Sequence, residues 1–296
     1  MMKTFKNIII AGISTMAVVF ALSSCQKGFD AKSYAPKKPL PKFDGYANSK
    51  DIQPGALVAY WPFNGDLKDS LSSVVGVGTS TSFGDGTKGK GLIATGNSYV
   101  VVNTPDAVKS LTDFTISVWV KMPLNTGAAG IVSVSHTSNF WGNFDIFYDN
   151  GGNATTGQLK VHVFNNASLA DAANNGSSNA WEGGYSVTDP WNKWTHIAVT
   201  YTGHYTDSTS MVKVYYNGAS VGTNEVKGFA PLNWSAAGPM VFGTLQFQTT
   251  PSLTTGSDAQ GWAAAINGDI DQVRVYNRPL TSSQIDGLYN LEKAGR

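Results

Sequence analysis

Between residues 56 and 276 the chain alternates short apolar-rich runs with clusters of Gly, Asn, Asp, Ser and Pro. The clearest runs are 57–63, 98–102, 114–121, 131–135, 159–164, 194–201, 211–216 and 270–276. In the run from Phe114, residues Phe114, Ile116, Val118 and Val120 fall on one side of a two-residue period. Val273 and Val275 do the same against Arg274 and Tyr276. A period of two marks strands with one face buried. Asn217-Gly218 is a tight-hairpin signal, because both residues tolerate positive φ. Helical spacing appears once, at the far end. There Thr281-Ser-Ser-Gln284 reads as a capping box, followed by Ile285, Leu288 and Leu291. The pattern predicts an all-β sandwich or jelly roll with a short C-terminal helix.

A different pattern occupies the start. Lys3 and Lys6 precede an apolar run over residues 8–22, too short for a comfortable membrane span and expected to be an export signal over residues 1–24. Leu22-Ser-Ser-Cys25 resembles the lipobox of bacterial lipoproteins, which implies lipid on Cys25 and removal of the residues before it. Cys25 is the single cysteine, so no intramolecular disulfide is available and the core must carry stability. Residues 25–54 hold Pro36, Pro39, Pro41 and Pro54 and show no periodicity; a tether is expected there. The expected domain spans residues 55–296, and the expected location is the cell envelope, as an outer-membrane lipoprotein facing either side.

Charge separates the two regions. Lys27, Lys32, Lys37, Lys38 and Lys42 face only Asp30, whereas from Phe43 onward 14 Lys/Arg meet 19 Asp/Glu. A mildly acidic domain with three arginines argues against a nucleic-acid partner. Membrane contact is expected through the lipid anchor, with the basic tether either lying beside an anionic lipid surface or simply solvated.

Six segments in order carry a family resemblance. They begin with Ala56-Leu-Val-Ala-Tyr-Trp-Pro-Phe-Asn-Gly-Asp-Leu-Lys-Asp-Ser70, Gly89-Lys-Gly-Leu92 and Asp113-Phe-Thr-Ile-Ser-Val-Trp-Val-Lys121. Trp194-Thr-His-Ile-Ala-Val-Thr-Tyr201, Val214-Tyr-Tyr-Asn-Gly218 and the stretch from Gly268 to Leu280 follow. Together they resemble the laminin-G-like, concanavalin A-like domains. The resemblance implies an antiparallel concanavalin A-like β-sandwich; it implies less about function, because this architecture hosts lectins, adhesion modules and hydrolases alike.

The residues weigh against a hydrolase. Enzymes of this fold resemble one another in a Glu-x-Asp-x-x-Glu arrangement, and here Glu182, Glu225 and Glu292 lie far apart. Asp145 with Asp149 is the residual carboxylate candidate for an atypical glycosidase. Gly218-x-Ser220-x-Gly222 sits on a hairpin rather than a strand-to-helix turn, so it is no nucleophile elbow. Gly84 to Lys90 lacks the Ser/Thr and the helix of a phosphate loop. His136, His162 and His204 have no partner at zinc spacing, and His196 lies within a strand. For calcium, Asp66 and Asp69 in the first turn and Asp269 and Asp271 on the last strand are the candidates, since hard cations gather carboxylates.

Five of the eight tryptophans fall in stretches read as Gly/Asn/Ser-rich loops: Trp141, Trp181, Trp191, Trp234 and Trp262. Aromatic faces beside Asn and Asp suit a sugar ring. The expected ligand face is Trp141, Asp145, Trp181, Tyr185 and Trp191. The expectation is a non-catalytic domain binding a glycan or an envelope or extracellular protein. A glycoside hydrolase and a structural adhesin are the alternatives.

Overall fold

The computed structural model describes residues 39–165, 179–204, 209–227, 229 and 231–296. The chain divides into two units, Met1–Pro41 and Lys42–Arg296. Of the first, only residues 39–41 are among those described, so the export signal, Cys25 and most of the expected tether lie outside them.

The second unit is a sandwich of two sheets. Its strands are β1 (Leu57–Trp61), β2 (Val77–Thr79), β3 (Ser82–Asp85), β4 (Lys90–Ala94), β5 (Tyr99–Val102), β6 (Phe114–Lys121), β7 (Ala128–His136) and β8 (Phe144–Asn153). They continue with β9 (Thr156–Phe164), β10 (Asn179–Thr188), β11 (Thr195–Thr202), β12 (Thr209–Tyr216), β13 (Ala219–Lys227), β14 (Ala237–Phe242), β15 (Ala263–Ala265) and β16 (Gly268–Tyr276). One helical turn, α1 (Asp106–Lys109), follows β5, and helix α2 (Ser282–Lys293) closes the chain. The first sheet runs β13-β12-β11-β6-β16-β4-β3, with β1 also paired to β16. The second runs β10-β9-β8-β7-β14-β5-β2, with β15 added in parallel to the start of β7.

The two-residue period decides which face meets the core. Phe114, Ile116, Val118 and Val120 of β6 face Phe144, Ile146, Val161 and Val163 of the opposite sheet in one buried cluster. Phe114 sits near its centre, with ring centroids 5.3 Å from Phe144, 5.5 Å from Tyr201 and 5.4 Å from Trp234. Asn217 and Gly218 both take positive φ, 50° and 83°, as the β12–β13 hairpin requires.

The other side of the first sheet is covered by α2. Its Ile285, Leu288 and Leu291 bury Ala198, Tyr215 and Tyr276. The capping box forms as read: Gln284 N–H donates to Thr281 Oγ1 at 3.2 Å, and Thr281 N–H to Gln284 Oε1 at 3.1 Å. Beneath the helix, Arg274 Nε donates to Glu292 Oε1 at 2.6 Å, and Trp119 Nε1 donates to Glu292 Oε2 at 2.7 Å. Glu292 is therefore committed to structure.

Two strands depart from the sequence reading. β10 was expected as loop because Gly183-Gly184 reads as punctuation; the glycines instead form a bulge against Lys160–Leu159. β14 contains Pro239, which a central strand rarely tolerates, and the Ala237–Met240 register shift accommodates it. The expected tether is also too long at its C-terminal end. Ser49 and Ile52 are buried, Phe43 and Tyr46 pack beside the α2 cluster, and Ser49 Oγ donates to the Arg296 carbonyl at 2.6 Å. Residues 43–52 thus pack with the second unit, which starts at Lys42 rather than at residue 55, because these apolar side chains fill the seam between β1 and α2.

Candidate ligand-binding face

The outer face of the second sheet carries the aromatic residues. Successive strands place Ser133, Asp145, His162 and Trp181 at one level, and Phe147, Lys160 and Gly183 at the next. The β7–β8 loop delivers Phe140 and Trp141 above them. That loop is fixed from below: Gln246 Nε2 donates to the carbonyls of Asn139 and Phe140, each at 2.8 Å, while His136 Nδ1 accepts the Ser138 and Asn139 N–H groups.

Trp141 is the hub. Its ring lies 5.4 Å from Phe147 at an interplanar angle of 19° and meets Trp181 edge-on at 4.8 Å. Trp262 stands 5.8 Å away and Phe247 5.6 Å away. Trp181 and Trp262 remain 43% and 39% exposed, unusual for such large rings held in place. Trp141, Phe147, Asp149, Lys160, Trp181 and Trp262 line a shallow hollow of about 210 Å³, with a Lys160 Nζ–Asp149 Oδ2 ion pair of 2.5 Å at its side.

Of the five expected ligand residues, Trp141 and Trp181 meet here; the other three do not. Asp145 is fully buried. Its carboxylate accepts from Ser133 Oγ at 2.5 Å and from Gly142 N–H at 2.9 Å, and faces His162 Nδ1 at 3.1 Å. His162 in turn meets Asn179 Oδ1 through Nε2 at 2.8 Å and lies 4.4 Å beneath the Trp181 ring. Asp145 and His162 thus hold the platform from inside; they do not touch a ligand. Tyr185 sits beyond the Gly183 bulge, which turns it to the inner side. Its hydroxyl donates to Glu182 Oε2 at 3.2 Å, and its ring lies so close over Gly222 that a side chain there would collide. Burial, and then the neighbouring Glu182, push the Tyr185 phenol up to about 12; burial also raises the Glu182 carboxyl. Trp191 is 7% exposed, lies tilted against Tyr148 and donates its indole N–H to the Asn153 carbonyl at 2.7 Å, so it pins a loop. The Asn/Gly/Ser residues 174–178 that lead into Trp181 lie outside the described residues.

The sequence reading missed Phe147, Lys160 and Trp262 as members. The β8–β9 hairpin register was the available signal, since it sets Asp145 opposite His162 and Phe147 opposite Lys160.

The four calcium candidates do not converge. Asp66 accepts the Lys68 N–H, and buried Asp69 accepts from Tyr60 N–H at 2.8 Å, Leu71 N–H at 3.2 Å and Ser72 Oγ at 2.5 Å. Asp269 pairs with Lys121 at 3.0 Å. Asp271 accepts from Thr87 N–H, Thr87 Oγ1, Lys88 N–H and Gln272, while burial pushes its carboxyl up to about 6 against those donors. Asp66 and Asp69 serve their own turn, while Asp269 and Asp271 on β16 are taken by Lys121 and by the Thr87–Lys88 turn. Among the described residues, no three His, Cys, Asp or Glu side chains stand where they could hold a metal ion.

Fold and face together define a jelly-roll domain with an aromatic recess on one sheet. A family model described as the concanavalin A-like lectin/glucanases superfamily matches residues 94–286, well over half of the sequence. The chain belongs to that superfamily. No curated protein matches it in sequence. Among solved structures, it is similar to the binding domain of Paraclostridial Mosquitocidal Protein 1, with TM-score 0.57 and 18% identity over 82% of this chain and 53% of that one. Domain 4 of AbnA, a GH43 extracellular arabinanase from Geobacillus stearothermophilus solved with arabinotriose, gives 0.51 and 23% over 79% and 98%. The botulinum neurotoxin type G receptor binding domain gives 0.52 and 16% over 80% and 51%. The chain spans about half the length of the two toxin chains. At these identities the likeness concerns fold.

Proposed function

We propose that the domain is a non-catalytic carbohydrate-binding module, and that Trp141, Trp181 and Trp262 form its sugar platform. The carrying observation is the pair of exposed indoles held around a hollow with a Lys–Asp pair beside it. An apolar ring face stacks on a sugar face, while the rim exchanges directed hydrogen bonds with hydroxyls. The similar arabinanase domain was solved with an arabinose trisaccharide, which supports a glycan as the class of ligand. Hydrolysis is disfavoured by spacing. Asp145 and Asp149 are four residues apart on β8, roughly 13 Å at strand rise, beyond the window that glycosidase carboxylates occupy. Asp145 is enclosed and Asp149 is paired with Lys160.

We place the protein at the cell envelope, exported by residues 1–24 and held by lipid on Cys25; the sequence pattern supports that reading. Metabolic labelling with a fatty acid, lost in Cys25→Ala, tests it. The binding reading is tested by glycan-array binding of the purified domain. Trp181→Ala and Trp141→Ala are each expected to weaken binding more than about tenfold, as truncation of a central aromatic contact does. Unchanged binding in both variants removes the assignment, and capture of an envelope protein with no glycan bound favours the adhesin.

A further inference from the structure

A second and larger cavity lies farther along the same sheet. It measures about 550 Å³, within the range of small-ligand sites, and is lined by Thr79, Asn97, Tyr99, Thr244 and Thr250 together with the three alanines of β15. Its polar groups are hydroxyls and carboxamides, and no charged side chain lines it. Thr79 and Asn97 are exposed, and their side chains make no hydrogen bond among the described residues. Tyr99 is held in place and forms the cavity wall: its hydroxyl accepts the Thr250 N–H at 2.9 Å and donates to the Thr250 carbonyl at 3.4 Å. The alanine methyls supply a short apolar strip beside these groups. Trp262, at the edge of the aromatic hollow, immediately precedes Ala263, at the edge of this cavity, so β15 joins the two recesses.

We infer that this cavity is a second sugar subsite, and that the domain reads a neutral oligosaccharide across β15, one portion stacked on the tryptophans and another hydrogen-bonded by Asn97 and Thr79. The inference rests on the glycan reading of the aromatic hollow and adds to it the ligand's charge and its length. Neutral donors and acceptors satisfy hydroxyls, whereas a carboxylate or sulfate brought into a cavity without a cation loses hydration and gains no partner.

The test is calorimetric titration of the purified protein with neutral gluco-, galacto- and arabino-oligosaccharides from mono- to hexasaccharide, beside acidic oligosaccharides of matched length. Wild-type affinity is expected to rise with length for a neutral series. Asn97→Ala weakens the longer ligands about three- to tenfold, the loss of one neutral hydrogen bond. Asn97→Trp, which fills the mouth of the cavity, abolishes the gain with length and spares the shortest ligands. Position 97 is exposed, so both variants keep the wild-type melting temperature. Trp181→Ala weakens short and long ligands alike. Wild-type length dependence in both Asn97 variants, with loss in Trp181→Ala, overturns the second subsite and leaves the platform standing. Loss in the Asn97 variants with none in Trp181→Ala does the reverse. Binding confined to acidic oligosaccharides, or no binding to any neutral one, overturns the proposal.

Discussion

At the scale of single residues, the most consequential groups lie under α2. Arg274 and Glu292 are 1% and 0% exposed, and the Arg274 guanidinium also lies 4.0 Å over the Tyr60 ring. A buried pair gives little net stability, but losing one partner strands the other charge. Glu292→Gln is expected to cost about 3–5 kcal/mol in denaturant unfolding, and the double replacement Arg274→Met with Glu292→Leu less than that. His196 supplies a second measurable effect. It is enclosed beside Trp119, 5.2 Å away, with neither ring nitrogen hydrogen-bonded; burial, and then Arg274, lower it to about 3. Between its unfolded value near 6.5 and that folded value, the unfolded chain binds the extra proton, so stability falls as pH falls through the window. The component reaches about 1.4 kcal/mol per pH unit. His196→Phe removes it, so the variant gains on the wild type as pH drops from 6.5. Parallel pH profiles of the two would refute the argument.

At the scale of elements, legibility followed local pattern. β6 and β16 were readable because their apolar alternation marks the side that meets the opposite sheet, although α2 buries their other side too, and α2 because its cap and its apolar spacing agree. Thr281→Ala is expected to cost about 1 kcal/mol, read as a lower melting temperature. β10 and β14 were hidden because Gly183-Gly184 and Pro239 are loop signals unless a bulge absorbs them. The same bulge explains one of the three misplaced ligand residues. Trp181 and Tyr185 are four residues apart and would share a side of a regular strand, but one inserted residue turns Tyr185 inward. Asp145 was misread for another reason. A carboxylate four residues after a tryptophan says nothing about the histidine that the hairpin register brings to it.

At the scale of the molecule, the folded unit includes a segment that composition assigned to the tether. Prolines and lysines set the average, yet Phe43, Tyr46, Ser49 and Ile52 are enough to dock the chain against α2. A protein beginning at Lys42 is expected to melt as the longer chain does, and one beginning at Gly55 several degrees lower by calorimetry, having lost the buried Ile52 side chain and the Ser49 hydrogen bonds. Equal melting temperatures would return these residues to the tether.

Among the described residues, β10 and β13 each end a sheet, and such borders invite another chain to continue the ladder. Tyr185, laid from one border across Gly222 of the other, fastens the two together like a clasp. A side chain at Gly222 would push Tyr185 off this seam, and self-association seen by light scattering is the expected result.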